Sequence, residues 1–188
     1  MAAFPFILLT MDANTRKSQI LDEISIASVP VSAAALAGRF GVSRQVIVSD
    51  VALLRALGHE ITATSRGYVL ASKLQDKNQY FGKIVSRHAA ADAAAELYAI
   101  VDMGGTVVNV IIEHDLYGEI TGGLNLKTRD DVDLFISRLN SSRDKLLLEL
   151  SHHGVHLHTI ACRDKSHFDD IVRVLKAKKL LFQIEKDD

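Results

Sequence analysis

The chain has one cysteine, two prolines, no surplus of charge of either sign and no apolar run long enough to cross a bilayer. A lone Cys162 cannot close an internal disulfide, and one thiol among eight histidines points to a reducing, cytoplasmic setting. The formal net charge of -1 excludes an overall basic coat for nucleic acid but leaves room for one locally positive face. Residues 1–13 are apolar between Phe4 and Leu9, yet they lack a positive flank and are too short to span a membrane. They read as a leader or frayed tail, with Met11 as a candidate start. There is also no His-Glu-x-x-His, no Gly-x-Ser-x-Gly and no phosphate loop, so the common metalloprotease, hydrolase and nucleotide signatures are missing and no enzyme is expected. What remains is 48% hydrophobic and 24% charged over 188 residues, the composition of an ordinary globular chain with room for one large domain or two small ones.

The N-terminal third carries helical periodicity. Ile20, Leu21, Ile24 and Ile26 recur at helical spacing from Thr15, with Arg16, Lys17 and Asp22 assigned to the opposite side. Ser32 is placed to cap a second helix with Ala35, Leu36 and Phe40 inward, and Gly41 to end it. After Gly41-Val42-Ser43, Ser43 caps a third helix over 44–57, where Val46, Ile47, Val51, Leu54 and Leu57 can pack and Arg44, Gln45, Ser49 and Arg55 stay outside. A helix, a tight turn and a second helix with polar early turns fit a reader of the major groove. Residues 59–62 and 67–70 then form two short strands about a Thr64-Ser65-Arg66-Gly67 tip, a wing. Residues 14–70 hold six Lys/Arg against four Asp/Glu, the sign DNA requires. Ser43, Arg44, Gln45 and Ser49 are the candidate groove and phosphate contacts, and Arg66 the phosphate contact from the wing, because Arg and Gln present two-pronged edges to guanine and adenine. Val42-Ser43-Arg44-Gln45 and Leu54-Arg55-Ala56-Leu57-Gly58 resemble the frame of the recognition helix in the winged helix-turn-helix of the biotin-repressor-like group. A bifunctional biotin ligase is not expected, since no Gly-Arg-rich adenylate-binding string follows.

The polar stretch 72–79 separates this domain (14–71) from a second one (80–188). The second domain reads as strand 80–85, helix 90–103, strands 106–113 and 117–124, helix 130–140, strand 155–161 and helix 166–177. The expected order is β-α-β-β-α-β-α, an α+β open-faced sandwich of HPr-like type on a mostly antiparallel sheet.

His88, His114, His152, His156 and His158 fall at strand ends or in the last strand. On a strand, His156 and His158 project from one face while Leu157 projects from the other. Two imidazoles suit a transition metal, and His88 with Glu96 offers one more nitrogen and a carboxylate. His59 and His167 match no motif and read as ordinary surface or hydrogen-bonded residues.

The strings Glu96-Leu97-Tyr98-x-Ile100-Val101-Asp102-x-Gly104-Gly105, Glu113-His114-x-x-Tyr117-Gly118-Glu119 and Gly154-Val155-His156-Leu157-His158-Thr159-Ile160 resemble the three-histidine domain of niacin-responsive transcriptional repressors, in which it also follows a winged helix-turn-helix. That resemblance implies a homodimeric repressor of nicotinate-uptake or NAD-synthesis genes, with nicotinic acid as corepressor on double-stranded operator DNA. It implies one divalent transition metal per chain held by His88, Glu96, His156 and His158, nickel or zinc foremost, with iron or manganese also compatible, and His114 close by. Arg129 and Arg87 are the candidate cations for the effector carboxylate. The adjacent His152 and His153 depart from the expected family pattern. The competing expectations are a regulator for which the metal itself is the signal and, further off, a metal-dependent hydrolase.

Overall fold

The computed structural model describes residues 12–74, 79–141 and 147–182, leaving aside the side chains of Leu148 and His152. Most of the expected leader and residues 75–78 of the expected linker therefore lie outside the described residues. The chain divides into two compact units, Met1–Leu74 and Gln75–Asp188, each described on its own.

In the first unit, α1 (Ala13–Ile26) begins where the Asp12 carboxylate accepts the N–H groups of Asn14 and Thr15. Ile20 and Ile24, one turn apart, are buried. Ile26, expected to pack, is 79% exposed, because two further residues rotate it about 200° from Ile24. The Ser32 hydroxyl caps α2 (Ala33–Phe40) through the Ala35 N–H, and Gly41 closes it at φ 63°. Leu36 and Ala37 form its buried face with Ala33 packed alongside, whereas Ala35, expected inward, is exposed.

Ser43 caps α3 (Arg44–Ala56) through the Val46 N–H. Ile47, Val51 and Leu54 face the core; Leu57, expected to continue that stripe, is the cap residue and is 71% exposed. Arg16 does not stay on the solvent side: its Nε donates to Asp50 on α3 at 2.6 Å, and both side chains are largely buried. The wing is β1 (Ile61–Thr64) paired antiparallel with β2 (Gly67–Leu70), and Val31 bridges to Tyr68. At Gly67, φ is 145° and a Cβ would lie 2.4 Å from the Val31 carbonyl, so only glycine permits this approach.

The second unit runs β3 (Tyr80–Arg87), α4 (Ala93–Asp102), β4 (Thr106–His114), β5 (Gly118–Leu126), α5 (Arg129–Ser141), β6 (Val155–Cys162) and α6 (Lys165–Ala177). This is the expected β-α-β-β-α-β-α order, with a three-residue 3-10 turn, Ala90–Asp92, replacing the start of the long helix expected from residue 90. The sheet is antiparallel in the order β3-β6-β4-β5, so the last strand in sequence lies between the first two.

One sheet face contributes Ile84, Val107, Leu126 and Ile160 to a core shared with Leu97 and Ile100 of α4 and Ile171 and Leu175 of α6. The other face exposes Phe81 and Val85. Residues 180–182 return beside β3, where Arg87 N–H donates to Leu180 O and Phe182 N–H to Val85 O. Among the described residues no helix is long and apolar enough to cross a membrane.

Candidate metal centre

Strand register and one helix turn assemble the centre. His156 and His158 lie opposite Ser86 and Ile84 in the β3–β6 ladder, which sets all four side chains on the helix-covered face. His88 follows β3 directly, and Glu96 projects from the first half of α4 with 1% exposure. Glu96 Oε2 lies 2.7 Å from His88 Nε2, 3.3 Å from His156 Nε2 and 3.2 Å from His158 Nε2. The rings of His88 and His156, and of His156 and His158, meet edge to face at 4.8 and 5.0 Å. His88, Glu96 and His156 offer ligand atoms all within 4.8 Å of one another.

The opposite ring nitrogens decide what these contacts mean. Nδ1 of His88 lies 2.9 Å from Ala89 O, Nδ1 of His156 2.9 Å from Gly154 O, and Nδ1 of His158 2.7 Å from Asn109 O. A carbonyl only accepts, so each Nδ1 carries the proton and donates it. A neutral ring then presents a bare Nε2 lone pair to the centre. Three lone pairs around one carboxylate oxygen repel unless protons or a cation lie between them. The Nδ1–H to carbonyl bond is also how protein scaffolds fix a metal-binding imidazole in tautomer and direction. Three imidazole nitrogens and one carboxylate oxygen fit a divalent transition metal. Metal-free, the same geometry favours a protonated His88 beside an ionised Glu96 carboxylate. Burial pushes Glu96 up, but the His158 charge and hydrogen bonds from His156, His158 and His88 outweigh it and hold the carboxyl well below its usual range. Burial pulls His88 down, and hydrogen bonds to Glu96 and Ala89 with the Glu96 charge reverse this to a net rise.

Two spaces flank the centre. An apolar cavity with room for about 30 Å³ touches Glu96, His156 and His158 and is walled by Ala93, Leu97, Val110, Leu124, Phe135 and Leu147. An open cleft of about 470 Å³ lies against His88, with Arg87, Glu149, Ser151 and His153 around it.

Of the remaining effector candidates, His114 and Arg129 lie elsewhere and only Arg87 borders a space beside the centre. His114 sits at the β4–β5 turn, where its Nδ1 accepts the Leu116 N–H and its ring packs 5.1 Å from Tyr117. Arg129 makes two 2.6 Å bonds to Asp102 over the Tyr98 ring on an exposed surface. Arg87 borders the outer cleft, with its guanidinium 5.9 Å from the Phe182 ring. His153 is exposed with φ 54°, and His167 bonds Met103 O.

In the first unit, Ser43, Arg44, Gln45, Ser49 and Arg66 are all exposed. Arg55, expected to stay available, instead donates to Ile61 O at 2.7 Å and tethers the wing to α3. Sequence reasoning missed Ser86, Asn109 and Gly154. Ser86 donates to Glu96 Oε1 from full burial, Asn109 supplies its carbonyl from a bulge in β4, and Gly154 supplies its carbonyl at φ 74°. The only linear signal was the Gly154-x-His156-x-His158 spacing.

A winged helix-turn-helix ahead of a domain with three histidines on one carboxylate defines a class of DNA-binding regulator. The comparisons agree: residues 16–69 match the HTH domain and residues 81–184 the 3H domain. The chain is 40% identical over 168 residues, 89% of this chain and 94% of the relative, to the probable transcription repressor NiaR of Thermotoga maritima. It is 37% identical over 177 residues, 94% of this chain and 97% of the relative, to the transcription repressor NadR of Bacillus subtilis. The chain belongs to this family of transcription repressors, and it is a DNA-binding regulator, not an enzyme.

Proposed function

We propose that this repressor controls genes of NAD biosynthesis or niacin transport, and that nicotinic acid sets its operator affinity by binding at a divalent transition metal held by His88, Glu96, His156 and His158. The observation that carries the reading is the orientation of the three imidazoles, each with Nδ1 spent on a main-chain carbonyl and Nε2 turned to Glu96 Oε2. A bound metal supplies a Lewis acid able to accept an oxygen or nitrogen of a small ligand; nickel and zinc suit these donors best, and iron and manganese also fit.

The chain's own residues do the rest. The apolar walls of the inner cavity take the ring of an aromatic acid, with Phe135 and Leu147 moving outward to admit it, since 30 Å³ holds about one water. Arg87, which lines the outer cleft with His88, is the cation favoured for the effector carboxylate, because Arg129 is engaged with Asp102. An organic effector is favoured over the metal as sole signal because a pure metal sensor has no use for an apolar cavity against its ligands.

The repressor acts in the cytoplasm as a homodimer on a two-fold operator. Ser43, Arg44, Gln45 and Ser49 enter the major groove and Arg66 holds phosphate. Effector binding shifts the population toward the dimer arrangement whose recognition helices match the half-site spacing.

The test is calorimetric titration of nicotinic acid, with nicotinamide as control, into metal-loaded and metal-stripped protein. Binding of the acid that disappears on stripping is the expected result. No heat from either ligand with metal present would remove the niacin reading and promote the metal as the signal.

A further inference from the structure

We infer that Ser86 is a positioning residue that confines Glu96 to one-oxygen ligation and so keeps part of the coordination sphere open for a small exogenous donor. The inference rests on the metal-centre reading above. A carboxylate has two oxygens and can present both to a cation. Here the oxygens have different partners: Oε2 is the atom all three Nε2 nitrogens approach, while Oε1 accepts the Ser86 hydroxyl proton.

Ser86 is fully buried and Glu96 is 1% exposed, so bulk solvent does not reach Oε1 to replace that hydroxyl. Its backbone is held from both sides, paired to His156 in β6 and bridged to Leu181 on the outer edge. The Ser86 main chain is therefore fixed relative to His156, one of the histidines around the carboxylate that its hydroxyl bonds. Three nitrogens and one oxygen make four protein donors, and a further position is left for a ligand from the adjoining cavity. Without the hydroxyl, Oε1 is a buried acceptor lacking a partner, and turning it toward the cation relieves that cost. The position otherwise open to an exogenous donor is then filled by the protein itself.

The test loads the full chain with Co(II) in place of the native ion and records its visible absorption and affinity. Ser86→Ala is expected to bind Co(II) about 10- to 100-fold more weakly, as loss of a group that orients a ligand does. Its ligand-field bands should also lose intensity, the signature of a higher coordination number. Ser86→Thr, which keeps the hydroxyl, is expected to restore both. A merely structural role would change melting and leave the band intensity of the loaded protein alone.

Wild-type protein provides a second measurement that does not depend on the variants folding. Its carboxylate stretches on Co(II) loading should separate widely, as one-oxygen ligation requires, and a narrow separation overturns the inference. An Ala variant with unchanged spectrum and affinity overturns it as well, while leaving the metal centre standing. Failure of the wild type to take up Co(II) removes both.

Discussion

Replacing Glu96 by glutamine in the metal-free protein should reverse the direction in which His88 departs from an ordinary histidine. Because Nδ1 of His88 already donates to Ala89 O, its 2.7 Å contact with Glu96 Oε2 is a hydrogen bond only when Nε2 is protonated too. Burial opposes that charge, and the carboxylate overrides the burial, so the wild-type value lies above 6.5. Glutamine keeps the shape and an accepting oxygen but removes the charge. Loss of an opposite charge this close lowers a histidine by about 1–3 pH units, or about 1.4–4 kcal/mol. Burial then dominates, and the variant should titrate below 6.5.

The linkage signs follow. In the wild type the raised value means that His88 contributes stability fully present below 6.5 and lost as pH rises through the folded midpoint. In the variant a lowered value penalises the fold at acid pH and is relieved as pH rises to 6.5. Glu96 itself, held well below 4.5, contributes stability above that value that is lost as pH falls through its folded midpoint, and the variant lacks it. Imidazole NMR titration gives the His88 midpoint directly, and melting curves on either side of pH 6.5 give the linkage. A variant whose His88 titrates at or above the wild-type midpoint would refute the reasoning, because something other than the carboxylate would then hold the proton.

Gly154→Ala should cost about 1–2 kcal/mol for a left-handed backbone alone, with more from a Cβ 2.8 Å from His88 O. By shifting the carbonyl that orients His156 it should also weaken metal binding about 10- to 100-fold; a variant with wild-type melting and wild-type metal competition would count against both effects. Arg44→Ala and Gln45→Ala should each relax discrimination at one base pair by about 1–3 kcal/mol. Arg66→Ala should weaken all sequences alike and reduce the slope of log affinity against log salt by about 1. Fluorescence anisotropy on operator and scrambled duplexes separates the two patterns, and an Arg66→Ala effect confined to one sequence would overturn the assignment to phosphate.

The elements legible in the sequence are those for which a cap, an apolar stripe and a terminating glycine coincide, as Ser32, Leu36 and Gly41 do for α2. Errors came where one signal stood alone. Ile26 and Leu57 are apolar and near the right spacing, yet each lies past the last turn that faces the core. Arg16 looks like a solvated helix charge, because nothing local shows that its partner Asp50 is 34 residues away. Arg129 reads as a ready cation for the same reason, with Asp102 27 residues distant.

The centre divides along the same line. His156 and His158 are legible as a pair because strand periodicity is local, whereas Ser86 and Asn109 act through cross-strand register, which no window of sequence contains. Asn109 is the sharper case: β4 shifts register between Val107 and Asn109, and Asn109, just past the shift, gives its carbonyl to His158 Nδ1 and its side-chain oxygen to the Thr159 N–H. Register binds the site to the fold. Since β6 lies between β3 and β4, a slip of one residue would turn His156 and His158 to the open face, remove Ser86 from opposite His156 and leave Glu96 with His88 and Ser86 in place of its full set of partners. The apolar core resists that slip because Ile160 leaves it together with the histidines. The packing that stabilises the second unit therefore also orients the four candidate ligand groups, and a core substitution that loosens β6 should degrade metal affinity before it unfolds the domain.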